Sequence, residues 1–159
     1  MKAIYIGRFS PLHYGHIKII NFMLDAFNPA DCLLILGSAN APLSEKNMFK
    51  YYQRREWINE LYPELKIVAV PDFDNDYDWA QNVENIVNAT FCQSYNRVFL
   101  GGSEHDLWYC DLRNWNKLII SRSIIPISGT EIRKMLLNNE DISNHVHFSL
   151  STKIKEPLS

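Results

Sequence analysis

No CxxC pair occurs in this sequence, and its three cysteines, Cys32, Cys92 and Cys110, are odd in number and widely spaced. A disulfide framework or a zinc site is therefore not expected, and a reducing cytoplasm is the expected setting. An excess of one charge is missing too. Sixteen Lys and Arg stand against 18 Asp and Glu, a formal net charge of −2. That leaves no overall basic field to gather nucleic acid or an anionic membrane, so positive charge must act locally if the ligand is a phosphate. No apolar run approaches the ~20 residues that span a bilayer, and the opening MKAIYIGRF is too short for a signal-peptide core. Internal repeats and low-complexity segments are absent. So are GxxxxGK[ST] and GxGxxG, which removes P-loop kinases and ordinary dinucleotide-binding dehydrogenases.

What is present is ordinary globular composition, 47% hydrophobic and 21% charged over 159 residues. This suits a single domain over 1–159 with a polar, loosely held tail from about 150. Short apolar runs at 2–7, 32–37, 66–70, 97–100 and 117–120 read as buried strands. Helical patterns fall at 16–27, 50–62, 79–93 and 130–138. Cys32 and Cys92 thereby fall in a strand and a helix, where core packing is expected; His145 and His147 are expected on the surface. The alternation predicts an α/β fold, a Rossmann-like doubly wound parallel sheet of about five strands with flanking helices. Ligands then bind beyond the strand carboxyl ends, at residues 7–16, 37–47, 71–79, 101–106 and 126–133.

The first of these segments is GRFSPLHYGH. Gly7 allows a sharp turn and Gly15 opens the helix. His13 and His16, three apart, can face one space beside the free N–H groups of a helix N-terminus. Two imidazoles, an arginine (Arg8) and a helix end make a triphosphate site. Near the other end stands ISGTEIR. Ser128 or Thr130 is a natural N-cap, Gly129 permits close backbone approach, and Arg133 follows Thr130 on the same helical face.

GRFSPLHYGH resembles the HxGH signature of the nucleotidylyltransferase superfamily, in the GRFxPxHxGH form of nicotinamide-nucleotide adenylyltransferases. ISGTEIR resembles that family's ISxTxIR motif. Between them, Gly37-Ser38-Ala39 and Lys46-Asn47-Met48-Phe49 with Arg54 resemble the GSA…KNPF…ER region of the archaeal-type branch. Pro71-Asp72 with Trp79 resembles its PD…W stretch, and Val98 to Ser103 its strand-end loop near the adenosine. Glu104 to Trp115 is loosely similar to the corresponding stretch of enzymes fused to a Nudix hydrolase, although no Nudix half is expected after this domain. Ser10 stands where the close family often has Gln, Met48 where it has Pro, and Gln53 where it has Glu.

The resemblance, over residues 3–137, implies adenylyl transfer from ATP to nicotinamide mononucleotide. It places ATP against Gly7, Arg8, Phe9, His13, Gly15, His16, Gly101, Ser128, Gly129, Thr130 and Arg133. It places the mononucleotide against Ser38, Asn47, Arg54, Asp72 and Trp79, with the indole on the nicotinamide ring. His16, His13 and Arg133 would act on the phosphates, and Mg²⁺ would be held mainly by phosphate oxygens. Read alone, Trp79 also fits a core aromatic and Arg54 a surface charge. Two other readings stay open: the same chemistry on phosphopantetheine, FMN or a polyol phosphate, and a non-catalytic nucleotide sensor. A homo-oligomer is compatible with the sequence; nucleic acid and membrane partners are not expected.

Overall fold

The fold is taken from a computed structural model that describes residues 1–92, 96–121 and 127–158. Five strands, β1 (Lys2–Gly7), β2 (Cys32–Leu36), β3 (Lys66–Ala69), β4 (Arg97–Gly101) and β5 (Lys117–Ile119), form one parallel sheet in the order β3-β2-β1-β4-β5. The described helices are α1 (Tyr14–Ala26), α2 (Tyr51–Leu61), α3 (Asp76–Phe91), α4 (Cys110–Arg113), α5 (Gly129–Leu137) and α6 (Ser151–Lys155). The order reverses between β1 and β4, so their carboxyl ends diverge and leave a crevice.

Alternate residues of each central strand serve opposite faces. Ala3, Tyr5, Cys32, Leu34, Leu36, Val98 and Leu100 pack beneath α1, α2 and α5. Ile4, Leu33, Ile35 and Phe99 pack against α3 and the start of α4. With both faces covered, the central strands are apolar past their first residues, and β2 is buried at every residue. Among the described residues no helix is long and apolar enough to cross a membrane.

Several expectations need correction. The segment after 149 is not loose: Leu150 and Ile154 are fully buried. With Ile142 and Val146 they place an apolar residue at every fourth position of a polar segment, and all four join the core beneath α1. His145, expected on the surface, is half-buried, and its carbonyl accepts from the Tyr14 N–H at 3.0 Å. One open donor of the α1 N-terminus is thereby satisfied. His147 is half-buried as well. Cys92 is exposed and sits past α3 in the left-handed region (φ 52°), because it terminates the helix rather than packing within it. Position 93, the expected helix end, and Pro126 at the last strand end lie outside the described residues.

Ile154→Ala should lower stability by about 2 kcal/mol or more, the cost of a cavity in a closed core. Urea and thermal unfolding check this; a loosely held tail would leave both midpoints unmoved.

Candidate active site

A cleft of about 600 Å³ opens over the strand carboxyl ends at the switch point. Its floor begins with the turn after β1. His13 is extended (φ −136°, ψ 173°) and caps α1, its Nδ1 accepting the Gly15 N–H at 3.0 Å. His16 answers from the first turn, its Nδ1 accepting the His13 N–H at 3.2 Å. Two imidazoles thus make the reciprocal cap usually built from Ser or Thr with Glu. With each Nδ1 lone pair committed, the hydrogen-bond network assigns the neutral rings' protons to Nε2. The rings stack at 3.7 Å, Phe9 packs on His16 at 4.7 Å, and both histidines line the cleft.

The cap of α5 closes the same arm. Ser128 Oγ accepts from the Glu131 N–H. Arg133 Nη1 donates to the Ser10 carbonyl at 2.7 Å and Nη2 to Thr130 Oγ1 at 3.1 Å. A Cβ at Gly129 would stand 3.0 Å from Arg133 Nη1 and 3.3 Å from the Ser10 oxygen, so a side chain here would crowd the Arg133–Ser10 contact. Burial, and then the charge of Arg8, lower the pKa of Arg133 from its ordinary value. Among the described residues, Arg8, Arg54 and Arg133 form no ion pair with a carboxylate. Uncompensated guanidinium charge beside a helix N-terminus favours an anion.

Arg54 is where geometry departs most from the sequence reading. It is neither surface charge nor a group lining the cleft, but 1% exposed beneath it. Nε donates to the Phe49 carbonyl at 3.2 Å, Nη1 to those of Arg8 (2.8 Å) and Gly37 (2.9 Å), and Nη2 to that of Ser38 (3.1 Å). Burial first, then the Arg8 charge, lower its pKa from the usual arginine range. Phe9 (φ 51°) and Ser38 (φ 50°) hold left-handed backbone conformations, and Arg54 binds the carbonyl just before the first and that of the second.

The other arm is aromatic. Trp79 lies in the first turns of α3, which starts at Asp76 because Asn75 caps the helix at Asp78 N–H and Asp76 and Asp78 suit its N-terminus. Its indole stacks on Trp108 (5.8 Å, 26°) and meets Tyr109 edge-on (5.2 Å). Burial pushes the Tyr109 hydroxyl well above the usual tyrosine pKa, so it is a neutral group. Ser38 Oγ donates to Asp72 Oδ1 at 2.9 Å between the two arms.

Of the residues assigned from sequence, Gly7, Arg8, Phe9, His13, His16, Ser38, Asp72, Trp79, Ser128, Gly129, Thr130 and Arg133 share the cleft lining. Arg54, Asn47, Gly15 and Gly101 do not. Asn47 turns into its own loop, donating to the Ala41 and Pro42 carbonyls. Gly15 belongs to the cap behind the histidines, and a Cβ at Gly101 would fall 2.6 Å from Leu107. His105, Asp106, Trp108 and Tyr109 line the cleft without having been singled out. Their sequence signals were position, just past the fourth strand end, and the loose likeness of the stretch from Glu104 to Trp115.

A five-stranded parallel sheet with helices on both faces and a cleft at its switch point defines the Rossmann-like α/β class, and this molecule is of that class. More narrowly, the chain belongs to the cytidylyltransferase-like family, which matches residues 4–144. It is similar to the nicotinamide-nucleotide adenylyltransferase of Thermococcus sibiricus, 28% identical over 165 aligned positions covering 98% of this chain and 84% of that protein. It is 31% identical to the nicotinamide/nicotinic acid mononucleotide adenylyltransferase of Acinetobacter baylyi over 82% of this chain and 72% of that one. In fold it matches the bifunctional NMN adenylyltransferase/ADP ribose pyrophosphatase of Francisella tularensis, with a TM-score of 0.80 at 19% identity. That match covers 95% of this chain and 48% of the solved chain, so this chain spans about half its length.

Arg54→Met should cost about 3–5 kcal/mol, since it strands buried carbonyls that lose their donors. Arg54→Lys should recover only part, because one ammonium cannot span the fork's four acceptors. Equilibrium unfolding in urea measures both; a loss under 1 kcal/mol for Met would refute the clamp.

Proposed function

We propose that the protein transfers the adenylyl group of ATP to nicotinamide mononucleotide, forming NAD and pyrophosphate. The observation that carries this reading is the two-armed cleft, lined by the histidine pair and the Arg133 guanidinium on one side and by the aromatic Trp79 on the other. It occurs in a chain similar along nearly its whole length to proteins named for that reaction.

In this reading an oxygen of the mononucleotide phosphate attacks the α-phosphorus of ATP. The new P–O bond forms as the bond to the β-phosphate bridging oxygen breaks, and pyrophosphate carries away the electron pair. The attacking phosphate is already an anion, so no serine, cysteine or general base is needed. Catalysis reduces to alignment and stabilisation of developing charge. The Nε2–H of His16 serves the α-phosphate and that of His13 the triphosphate. Arg133, fixed by Ser10 and Thr130, holds the departing pyrophosphate with Ser128. Among the described residues no three His, Cys, Asp or Glu side chains gather as a metal cage. A magnesium ion would therefore rest mainly on phosphate oxygens and water, with the Asp72 carboxylate in the same cleft.

The test is pyrophosphate release by the purified protein with ATP, Mg²⁺ and a panel of phosphorylated acceptors. Nicotinamide mononucleotide should be turned over, and His16→Ala should reduce that turnover by ~10²-fold or more. Activity on phosphopantetheine or a polyol phosphate alone would sink the acceptor assignment and spare the reaction type.

Trp79→Ala should raise the Michaelis constant for nicotinamide mononucleotide about 5- to 150-fold, the worth of one ring stack, and spare that for ATP. Equal losses for both substrates would make Trp79 a packing residue of the wall it shares with Trp108 and Tyr109.

A further inference from the structure

Among the described residues, three buried side-chain polar atoms have no hydrogen-bond partner: Ser10 Oγ, Asn47 Oδ1 and Tyr109 OH. Ser10 is 3% exposed and lines the cleft, and a serine side chain has no polar atom other than this hydroxyl. A buried hydroxyl left unpaired costs free energy in the free protein. Its surroundings say what would satisfy it. The Ser10 carbonyl takes the Arg133 Nη1 hydrogen bond at 2.7 Å, and Gly129, first residue of the nine-residue α5, packs directly on that carbonyl. Ser10 therefore shares the cleft lining with a guanidinium (Arg133), the N-terminus of α5 (Gly129) and His13. Each of these favours an anion.

We propose that Ser10 is a further nucleotide-binding residue, its hydroxyl donating to a phosphoryl oxygen of the triphosphate held by Arg133. This rests on the nucleotidyl-transfer reading above but not on the identity of the acceptor. It makes a prediction of opposite signs. Ser10→Ala removes an unpaired polar atom from the free protein and a hydrogen bond from the complex. The melting temperature without ligand should stay level or rise, while affinity for ATP falls about 10- to 100-fold, as for a hydrogen bond to a charged acceptor.

Calorimetric titration of wild type and Ser10→Ala, in the absence of any acceptor, decides the matter with ATP, inorganic tripolyphosphate and adenosine as probes. Losses confined to ATP and tripolyphosphate support the assignment. A lowered melting temperature with unchanged affinities would make Ser10 a structural residue and overturn it. Equal losses for adenosine would also overturn it, moving the hydroxyl to the nucleoside. A wild type binding neither ATP nor tripolyphosphate would overturn both this and the nucleotidyl-transfer reading, whereas an unexpected acceptor leaves Ser10 untouched.

Discussion

The cleft depends on one buried guanidinium. At the carboxyl edge of a parallel sheet the last carbonyls of each strand have no further strand to meet, and at the switch point the chains diverge above them. Arg54 reaches up from α2 and gathers the carbonyls of Arg8, Gly37, Ser38 and Phe49. The turns it grips contain Phe9 and Ser38 in left-handed conformations, each costing ~1–3 kcal/mol that the surroundings must offset. Carbonyl dipoles solvate the buried cation without neutralising it. The same residue that holds the floor in shape therefore contributes positive potential beneath the cleft.

Around that floor the cleft separates two kinds of recognition. Donors and cations occupy the α1 and α5 ends, and the indoles of Trp79 and Trp108 with Tyr109 form the opposite wall. Ser38 and Asp72, joined by a hydrogen bond, lie where the two meet. This division suits a reaction whose reactants bring their own nucleophile and leaving group. What the protein must supply is fixed orientation, and fixed orientation comes from elements that are themselves capped and packed.

Much of this was legible because the local rules agree with the global fold. Five apolar runs became five strands with boundaries shifted by a residue or less, since strands buried on both faces have no polar position to confuse the period. His13, His16, Ser128 and Arg133, singled out from their spacing at helix starts, line one cleft because capping geometry is short-range. Arg54 was misplaced because its four acceptors lie on three separate segments of chain, and only the tertiary arrangement shows that its donors are spent on the backbone. Trp108 and Tyr109 escaped for a related reason. They lie in the turn between a 3₁₀ turn (His105–Leu107) and α4, where no period marks them, and Tyr109, which meets Trp79 edge-on, packs on Phe99. The tail misled in the other direction, since four buried residues among many polar ones read as a solvated end.

The docking of residues 142–154 beneath α1 has a consequence for how the molecule comes into being. Synthesis delivers the histidine motif early and its support late. Until position 154 has left the ribosome, the core under α1 lacks Ile142, Val146, Leu150 and Ile154, and the Tyr14 amide lacks its carbonyl from His145. The two halves of the histidine–arginine arm are also separated by more than a hundred residues of chain, so Ser10 waits for Arg133 to be made before the two can meet. A nascent chain thus carries the first residues of the cleft well before it carries the cleft, which closes only after the segments that hold Arg133 and Ile154 have been made.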